Sequence, residues 1–198
     1  MIGNRLMNAL LLCFGLCLVI ASGNALAGDK AIAAGDQAPT FTSRNQAGKT
    51  WSLADLRGKP VALFFYCGCE SCRQCALEWA RTQRSGVLAA RPFKAPALPV
   101  TVVVNTTDAE GIGLFAKRTG LASGTVLLPD SDERLSRLYG VSPCPRVFVL
   151  DAKGTLRYTN NSEDDAPQEA TERIICARTL AALRTASGSE APVIRRAE

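Results

Sequence analysis

Residues 61–75 read VALFFYCGCESCRQC, and this stretch decides the fold. Its first part, 61–66, is a continuous apolar run rich in β-formers, which is typical of a central strand covered on both faces. From Cys72 onward, apolar residues recur at the spacing of one buried helical face. The sequence therefore predicts a buried strand that passes directly into a helix, with four cysteines at the junction.

The rest of the chain continues this alternation of strand and helix, after a turn-rich segment at 29–50. Two signals set the starts of predicted helices: Asp108 as an N-cap, and Asp130 with Glu133 as a capping box. The further predicted strands are 100–104, 125–128, 146–150 and 155–159, and the further predicted helices are 108–119, 130–139 and 169–185. We therefore predict an α/β fold, in which a central mixed sheet is flanked by helices and ends in a hairpin and a terminal helix.

The composition excludes most familiar catalytic sites. The chain has 198 residues, eight cysteines and no histidine. The lack of histidine excludes Ser-His-Asp and Cys-His nucleophiles as well as histidine-ligated zinc, copper and haem. A net charge of +5 without a basic run is too weak to indicate nucleic acid, and we predict no such partner. The cysteines are therefore the candidate catalytic residues.

Residues 1–27 have the three parts of a secretory signal. Arg5 supplies the charge, 9–21 form the apolar run, and the segment ends in Ala25-Leu26-Ala27. The apolar run is shorter than the roughly 20 residues that a membrane-spanning helix needs. We therefore predict cleavage after Ala27, so that membrane attachment would come only through an uncleaved signal.

The chain has three predicted parts, a signal peptide at 1–27, a single domain at 28–186 and a disordered tail at 187–198, and cleavage removes the first of them. Cleavage also removes Cys13 and Cys17 and leaves six cysteines in the mature chain. The predicted location is periplasmic or secreted. Such a compartment oxidises thiols that are not buried, bound to metal or kept reduced by a donor.

Cys69 falls where the predicted strand gives way to the helix. The N–H groups and the positive dipole end of a helix stabilise a thiolate there, so Cys69 is the predicted nucleophile. Cys72 lies one turn further on and can reach the Cys69 sulfur to close a Cys-x-x-Cys disulfide. We expect Cys69 to attack a substrate disulfide and Cys72 to resolve the mixed disulfide, in either direction of electron flow.

These cysteines resemble those of the thioredoxin-like redoxins, particularly the exported thiol-disulfide oxidoreductases of TlpA type and the related peroxiredoxin superfamily. Further landmarks follow in the family's order over about 35–158. They are GDQAPTF at 35–41, LADLRGKP at 53–60, CESCR at 69–73, YGVSPCP at 139–145 and FVLDAKG at 148–154. The resemblance implies a thioredoxin-like fold.

The resemblance also implies the partners and a substrate-binding segment. It identifies Pro145 as the family's cis-proline, whose backbone helps to hold an extended substrate strand, with Cys144 beside it. The implied partners are disulfide-containing proteins as substrates and a membrane thiol as electron donor. We predict no cofactor and no bound metal, and catalysis by Cys69 and Cys72.

The chain departs from the family at Gly68, which replaces the usual Trp, and in its surplus thiols. Cys67 and Cys75 flank the pair and Cys144 precedes Pro145, so up to five sulfurs are expected to approach one site. Clustered thiolates also suit Zn, Cu(I) or an iron–sulfur cluster, which leaves a metal-binding protein as an alternative.

A second alternative is a thiol peroxidase of the peroxiredoxin superfamily. The pattern of that group has Pro, then Thr or Ser three residues before the peroxidatic cysteine. Here Tyr66 stands three residues before Cys69 and no proline intervenes, so the oxidoreductase remains the leading hypothesis. Cys75 and Cys176 lie among apolar helix residues and are predicted to be core thiols, whereas Cys67 is open between packing and a regulatory disulfide.

Overall fold

The structure is a computed structural model that describes residues 32–93, 98–160 and 168–188. The predicted signal at 1–27 and most of the predicted tail lie outside these residues. The strands are β1 (Thr42–Arg44), β2 (Thr50–Ser52), β3 (Val61–Tyr66), β4 (Val100–Asn105), β5 (Val126–Pro129), β6 (Arg146–Leu150) and β7 (Leu156–Thr159). The helices are α1 (Glu70–Arg84), α2 (Ala109–Thr119), α3 (Arg134–Leu138) and α4 (Gln168–Ala186), with a 3-10 turn at Leu53–Leu56.

A five-stranded mixed sheet with the order β5-β4-β3-β6-β7 forms the centre of the fold. Strand β3 pairs in parallel with β4 and antiparallel with β6. The hairpin of β6 and β7 closes one edge, and α1 packs against α4 on one side of the sheet. This architecture confirms the predicted fold class, with a central mixed sheet flanked by helices.

Strand β3 is buried along its whole length, because its side chains alternate between two apolar layers. On one side Phe64 packs on Trp79 of α1, with ring centroids 5.0 Å apart. On the other side Phe65 packs on Tyr139 and Phe148, at 5.2 Å and 5.7 Å. Two separate hydrophobic clusters thus meet on this strand, which explains why its sequence is continuously apolar rather than alternating.

Two helix starts were predicted from capping signals, and the structure confirms one of them. The Asp108 carboxylate accepts from the Gly111 N–H at 2.8 Å and caps α2, as predicted. The capping box at Asp130 and Glu133 is wrong, because α3 begins later, at Arg134. Glu133 is its N-cap, with a φ of 54° and no side-chain capping bond.

Asp130 nevertheless holds the start of α3 from a distance. Its buried carboxylate accepts from the N–H groups of Leu135 and Ser136, at 2.8 Å and 2.9 Å. The Ser136 hydroxyl adds a third hydrogen bond at 2.7 Å. Because α3 leads through Tyr139 into the segment that carries Cys144, this carboxylate helps to place one wall of the candidate site.

The turn-rich segment at 29–50 contains one element that the sequence did not predict. Strand β1 pairs with β2 as a separate two-stranded hairpin. Its turn is held by Asn45, whose side-chain oxygen accepts from the N–H groups of Ala47 and Lys49. Strands of three residues are too short to show a two-residue period.

Among the described residues, no helix combines the length and the apolar character that crossing a membrane requires.

Removal of the Asp130 carboxylate tests its role at α3. We expect Asp130→Ala to lower the free energy of unfolding by about 2 kcal/mol, because two N–H groups of α3 lose their acceptor. The measurement is urea unfolding followed by circular dichroism. The control Glu133→Ala should change stability by less than about 0.5 kcal/mol. If Glu133→Ala lowers the free energy of unfolding as much as Asp130→Ala does, the two residues act together as a capping box and this assignment is wrong.

Candidate functional site

The candidate site lies at the predicted strand–helix junction, where β3 ends and α1 begins. Three residues make the connection, and the middle one, Gly68, has a φ of 84°. That left-handed conformation costs a non-glycine residue roughly 1–2 kcal/mol. A Cβ on Gly68 would meet nothing within 4 Å, so the backbone conformation rather than space favours glycine here.

Cys69 is the N-cap of α1 and is exposed. Its side chain makes no capping hydrogen bond, which leaves the sulfur available for reaction. The N–H groups of the first helical turn and the positive end of the helix dipole lie beside it. The structure therefore places the predicted nucleophile at a helix N-terminus with access to solvent.

The charges closest to Cys69 along the helix neutralise each other. Glu70 and Arg73 form an exposed ion pair, in which the Arg73 Nε donates to a Glu70 oxygen at 2.8 Å. Hydrogen bonds from Arg73 and Gln74 lower the pKa of Glu70 to about 2. The carboxylate and the guanidinium are therefore paired with each other at the start of α1.

Cys72 has the opposite environment, although it lies only one helical turn from Cys69. The residue is fully buried, and its Sγ accepts from the Cys67 N–H at 3.3 Å. Burial raises the pKa of the Cys72 thiol to about 12, the hydrogen bond from Cys67 lowers it, and the neighbouring Cys69 raises it further. Cys72 is therefore a protonated thiol at neutral pH.

A disulfide between Cys67 and Cys144 completes the site, and the sequence did not predict this pairing. It joins the residue after β3 to the residue before Pro145, with Cα atoms 6.5 Å apart. The Sγ atoms of Cys67, Cys69, Cys72 and Cys144 all lie within 4.8 Å of one another. Four of the five expected sulfurs thus converge.

Cys75 is the expected sulfur that does not join the cluster. It is buried, and the Tyr66 hydroxyl donates to its Sγ at 3.6 Å. The Cys176 thiol donates to the Cys75 carbonyl, also at 3.6 Å, and its own pKa is raised by its hydrogen bond with Cys75 and by burial. These contacts agree with the prediction that Cys75 and Cys176 are core thiols.

The segment around Pro145 faces the cluster and is held by polar side chains. The Cys144–Pro145 peptide bond is cis, as the resemblance implied. The Asn160 side-chain amide donates to the Pro145 carbonyl at 2.9 Å, and its oxygen accepts from the Val147 N–H at 2.7 Å. Arg146 donates to the carbonyls of Asn160 and Ser142. Asn160 could not be recognised from the sequence, because a polar residue after a strand is typical of any turn.

An open cleft of about 200 Å³ lies beside the disulfide. Cys67 and Cys144 line it, together with Thr106, Glu133 and Pro143. Cys67 is exposed and Cys144 is half-buried, so solvent and small solutes reach this disulfide. Cys69 is not among the residues that line this cleft.

The same four sulfurs are the groups among the described residues that could hold a soft metal ion. Four thiolates around one ion suit Zn or an iron centre. In this structure Cys67 and Cys144 are bonded to each other, so that of these four cysteines Cys69 and Cys72 are the two that carry free thiols. A four-cysteine metal site therefore requires prior reduction of the Cys67–Cys144 disulfide.

Comparison with known proteins shows similarity to two kinds of thiol enzyme. The chain is 30% identical to "Peroxiredoxin Q, chloroplastic" of Triticum aestivum over 141 residues, which are 67% of this chain and 60% of that protein. It is 32% identical to "Thiol-disulfide oxidoreductase ResA" of Bacillus subtilis over 130 residues, which are 65% of this chain and 67% of that protein. The chain thus spans about 60% to 67% of the length of these relatives.

Among solved structures, the fold is similar to the thioredoxin domain of a thiol-disulfide oxidoreductase from Bacteroides vulgatus. The TM-score is 0.53 at 23% identity, and the match covers 73% of this chain and 99% of that domain. This likeness confirms the predicted thioredoxin-like fold. The model of the AhpC/TSA family matches residues 34–159, which include the cysteine cluster and the Pro145 segment. The chain therefore belongs to the AhpC/TSA family.

Proposed function

We propose that the chain is an exported thiol-disulfide oxidoreductase that acts on protein disulfides. Cys69 is the nucleophile and Cys72 the resolving thiol. The observation that carries this proposal is the contrast between an exposed sulfur at the N-cap of α1 and a buried thiol one turn behind it. Such a pair can take a substrate sulfur from solvent and then displace it internally.

In the first step the Cys69 thiolate attacks one sulfur of the substrate disulfide. The substrate S–S bond breaks, its other sulfur leaves as a thiolate and takes a proton from water, and a mixed disulfide with Cys69 remains. This bond removes the thiol of Cys69, which was one cause of the raised pKa of Cys72. The Cys67 N–H stays in place as a donor to the Cys72 sulfur.

In the second step Cys72 loses its proton to solvent and attacks the Cys69 sulfur. The Cys69–Cys72 disulfide forms, and the substrate leaves as a dithiol after its second sulfur takes up a proton. The substrate has gained two electrons and the enzyme has lost them. A membrane thiol donor restores the pair, and the reverse sequence oxidises a dithiol substrate.

The Pro145 segment supports this proposal as the place where an extended substrate strand would lie. Its backbone is fixed from behind by the amide of Asn160 and the guanidinium of Arg146. A rigid strand-like edge beside a nucleophile suits recognition of peptide backbone rather than of a particular side chain. The proposed export agrees with the signal-like segment at 1–27 and with a site whose substrate is a disulfide.

Trapping of the mixed disulfide tests the assignment of the two cysteines. We expect Cys72→Ser to accumulate a covalent adduct with a disulfide-containing protein such as reduced-and-reoxidised insulin, because nothing displaces the substrate from Cys69. Cys69→Ser should form no adduct at that position. The readout is non-reducing electrophoresis after acid quench, followed by peptide mapping, with Cys176→Ala as the control that behaves like the unmodified chain. An adduct at Cys72 in Cys69→Ser would reverse the assignment.

The reactivity of the two thiols towards iodoacetamide gives a second test. In the native protein, with the Cys67–Cys144 disulfide intact, Cys69 should be alkylated much faster than Cys72 near neutral pH. Because burial keeps Cys72 protonated, its rate should rise about tenfold per pH unit towards pH 12. Peptide mapping at each pH measures both rates, and denatured protein is the control in which both cysteines react. Equal rates in the native protein at neutral pH would contradict the proposed division of roles.

A thiol peroxidase is the second candidate, because the relatives include peroxiredoxin Q. The structure adds a reason to rank it lower. Tyr66 holds the position of the peroxiredoxin Thr or Ser, and its hydroxyl is buried against Cys75 instead of facing Cys69. At the start of α1 beside Cys69, the side chains of Glu70, Arg73 and Gln74 are engaged with one another.

We therefore expect hydrogen peroxide to oxidise Cys69 no faster than about tenfold above an ordinary exposed thiolate. The measurement is the rate of sulfenic acid formation in Cys72→Ser, trapped with a sulfenic-acid reagent and mapped to its peptide. Tyr66→Thr is an informative companion variant, because it restores a small hydroxyl at the family's position. Peroxide consumption several orders of magnitude faster than a free thiol would establish the peroxidase.

A further inference from the structure

Two cysteine pairs share one site, and the proposed function uses only one of them. We propose that the Cys67–Cys144 disulfide is a second redox couple, which exchanges an electron pair directly with the Cys69–Cys72 pair. This inference rests on the proposed function, since it assigns a donor and acceptor to the same nucleophile. With two disulfides the site accepts four electrons, whereas a single Cys-x-x-Cys pair accepts two.

Distance supports direct exchange. The Cys72 Sγ lies 3.8 Å from the Cys67 Sγ, which is one half of the disulfide. This separation is close to van der Waals contact, and a disulfide bond of about 2.05 Å forms from it by a modest rotation of the two side chains. Cys69 and Cys144 also lie within 4.8 Å of these sulfurs. No domain motion is needed to bring the four atoms into reaction.

Polarity supports the same exchange. The Cys67 N–H donates to the Cys72 sulfur and so favours the thiolate of Cys72 at the point where it faces the disulfide. On the other side, Cys144 is half-buried at the edge of the cleft, where water can solvate it as a leaving thiolate. A purely structural disulfide does not need a free thiol 3.8 Å from one of its sulfurs.

The chemistry balances within the site. Cys72, after loss of its proton to water, attacks the Cys67 Sγ, so the Cys67–Cys144 bond breaks and Cys144 leaves as a thiolate that takes up a proton. The Cys69 thiolate then attacks the Cys72 Sγ, which forms the Cys69–Cys72 disulfide and releases Cys67, and Cys67 is protonated in turn. Two electrons have moved from the Cys69–Cys72 pair to the Cys67–Cys144 pair, and the disulfide itself is the oxidant.

Access supports a separate role for each couple. The thiol of Cys69 faces solvent at the end of α1, whereas the cleft beside Cys67 and Cys144 opens next to Thr106 and Pro143. A small thiol can therefore reach the second couple through the cleft and reduce or oxidise it. The exchange between the two couples then passes electrons between a small thiol in the cleft and a protein substrate at Cys69.

The test is the identity of the disulfide in protein that contains only one. Fully oxidised full-length protein receives one equivalent of dithiothreitol, and fully reduced protein receives one equivalent of oxidised glutathione. After anaerobic incubation, acid quench, alkylation and peptide mapping, both routes should give the same mixture of Cys67–Cys144 and Cys69–Cys72 disulfides. Cys176→Ala, which changes a thiol outside the cluster, should give the same mixture as the unmodified chain.

Cys69→Ser isolates the first step of the exchange. This variant cannot form the Cys69–Cys72 disulfide, so within the cluster Cys72 can leave Cys67 only by the reverse attack of Cys144. We therefore expect complete loss of the Cys69–Cys72 species, the appearance of a Cys67–Cys72 disulfide and new alkylation of Cys144. Each of three results overturns the proposal: only the Cys67–Cys144 disulfide by both routes, a mixture that depends on the route, or four thiols protected together until a chelator is added.

The double variant Cys67→Ser/Cys144→Ser separates this inference from the proposed function. It should still form the Cys69–Cys72 disulfide and still react with protein disulfides, but take up half as many dithiol equivalents per chain as the oxidised unmodified protein. Circular dichroism establishes that it is folded. If it reacts normally while the unmodified chain shows no interchange, only the second couple is wrong. If the folded double variant does not react with disulfides, the proposed function fails as well.

Discussion

Burial of β3 on both faces is the constraint on which the rest of the structure depends. Because the strand pairs with β4 on one side and β6 on the other, its carboxyl end has one possible position in the sheet. That end delivers Cys67 and Cys69 to the top of the sheet and starts α1 there. The large side chains beneath, Phe64 and Phe65 among them, fill both layers, so the junction rests on a packed base.

The antiparallel register of β3 and β6 accounts for the partner of Cys67. Phe65 faces Arg146 in that ladder. Each step forward along β3 corresponds to one step backward along β6, so two further steps bring Cys67 opposite Cys144. The disulfide is therefore a continuation of the sheet's own pairing beyond its last hydrogen-bonded residues. The same register places the Pro145 segment beside the start of α1, where a strand-like substrate would meet Cys69.

The continuous apolar run predicts β3 over the residues that it occupies, since burial on both faces leaves no other pattern. Asp108 likewise predicts the start of α2, because a cap acts within three residues of its own position. Asp130 misled the prediction of α3, because its carboxylate reaches N–H groups five and six residues away, beyond any local motif. The pairing of Cys67 with Cys144 was likewise beyond prediction from sequence, since it depends on a strand register that links positions 77 residues apart.

The cluster contains four sulfurs rather than five for a reason of helix geometry. Cys69 is the N-cap residue of α1 and Cys72 lies in its first turn, so both stay at the level of the sheet's upper edge. Cys75 is one further turn along, which moves its sulfur about 4.5 Å down the helix axis and into the core against Tyr66. The left-handed conformation at Gly68 turns the chain between Cys67 and Cys69, so that one sulfur joins the disulfide and the other reaches solvent. Gly68 is therefore tied to the second cysteine pair: a residue that must accept a positive φ stands between the two couples that we propose to exchange electrons.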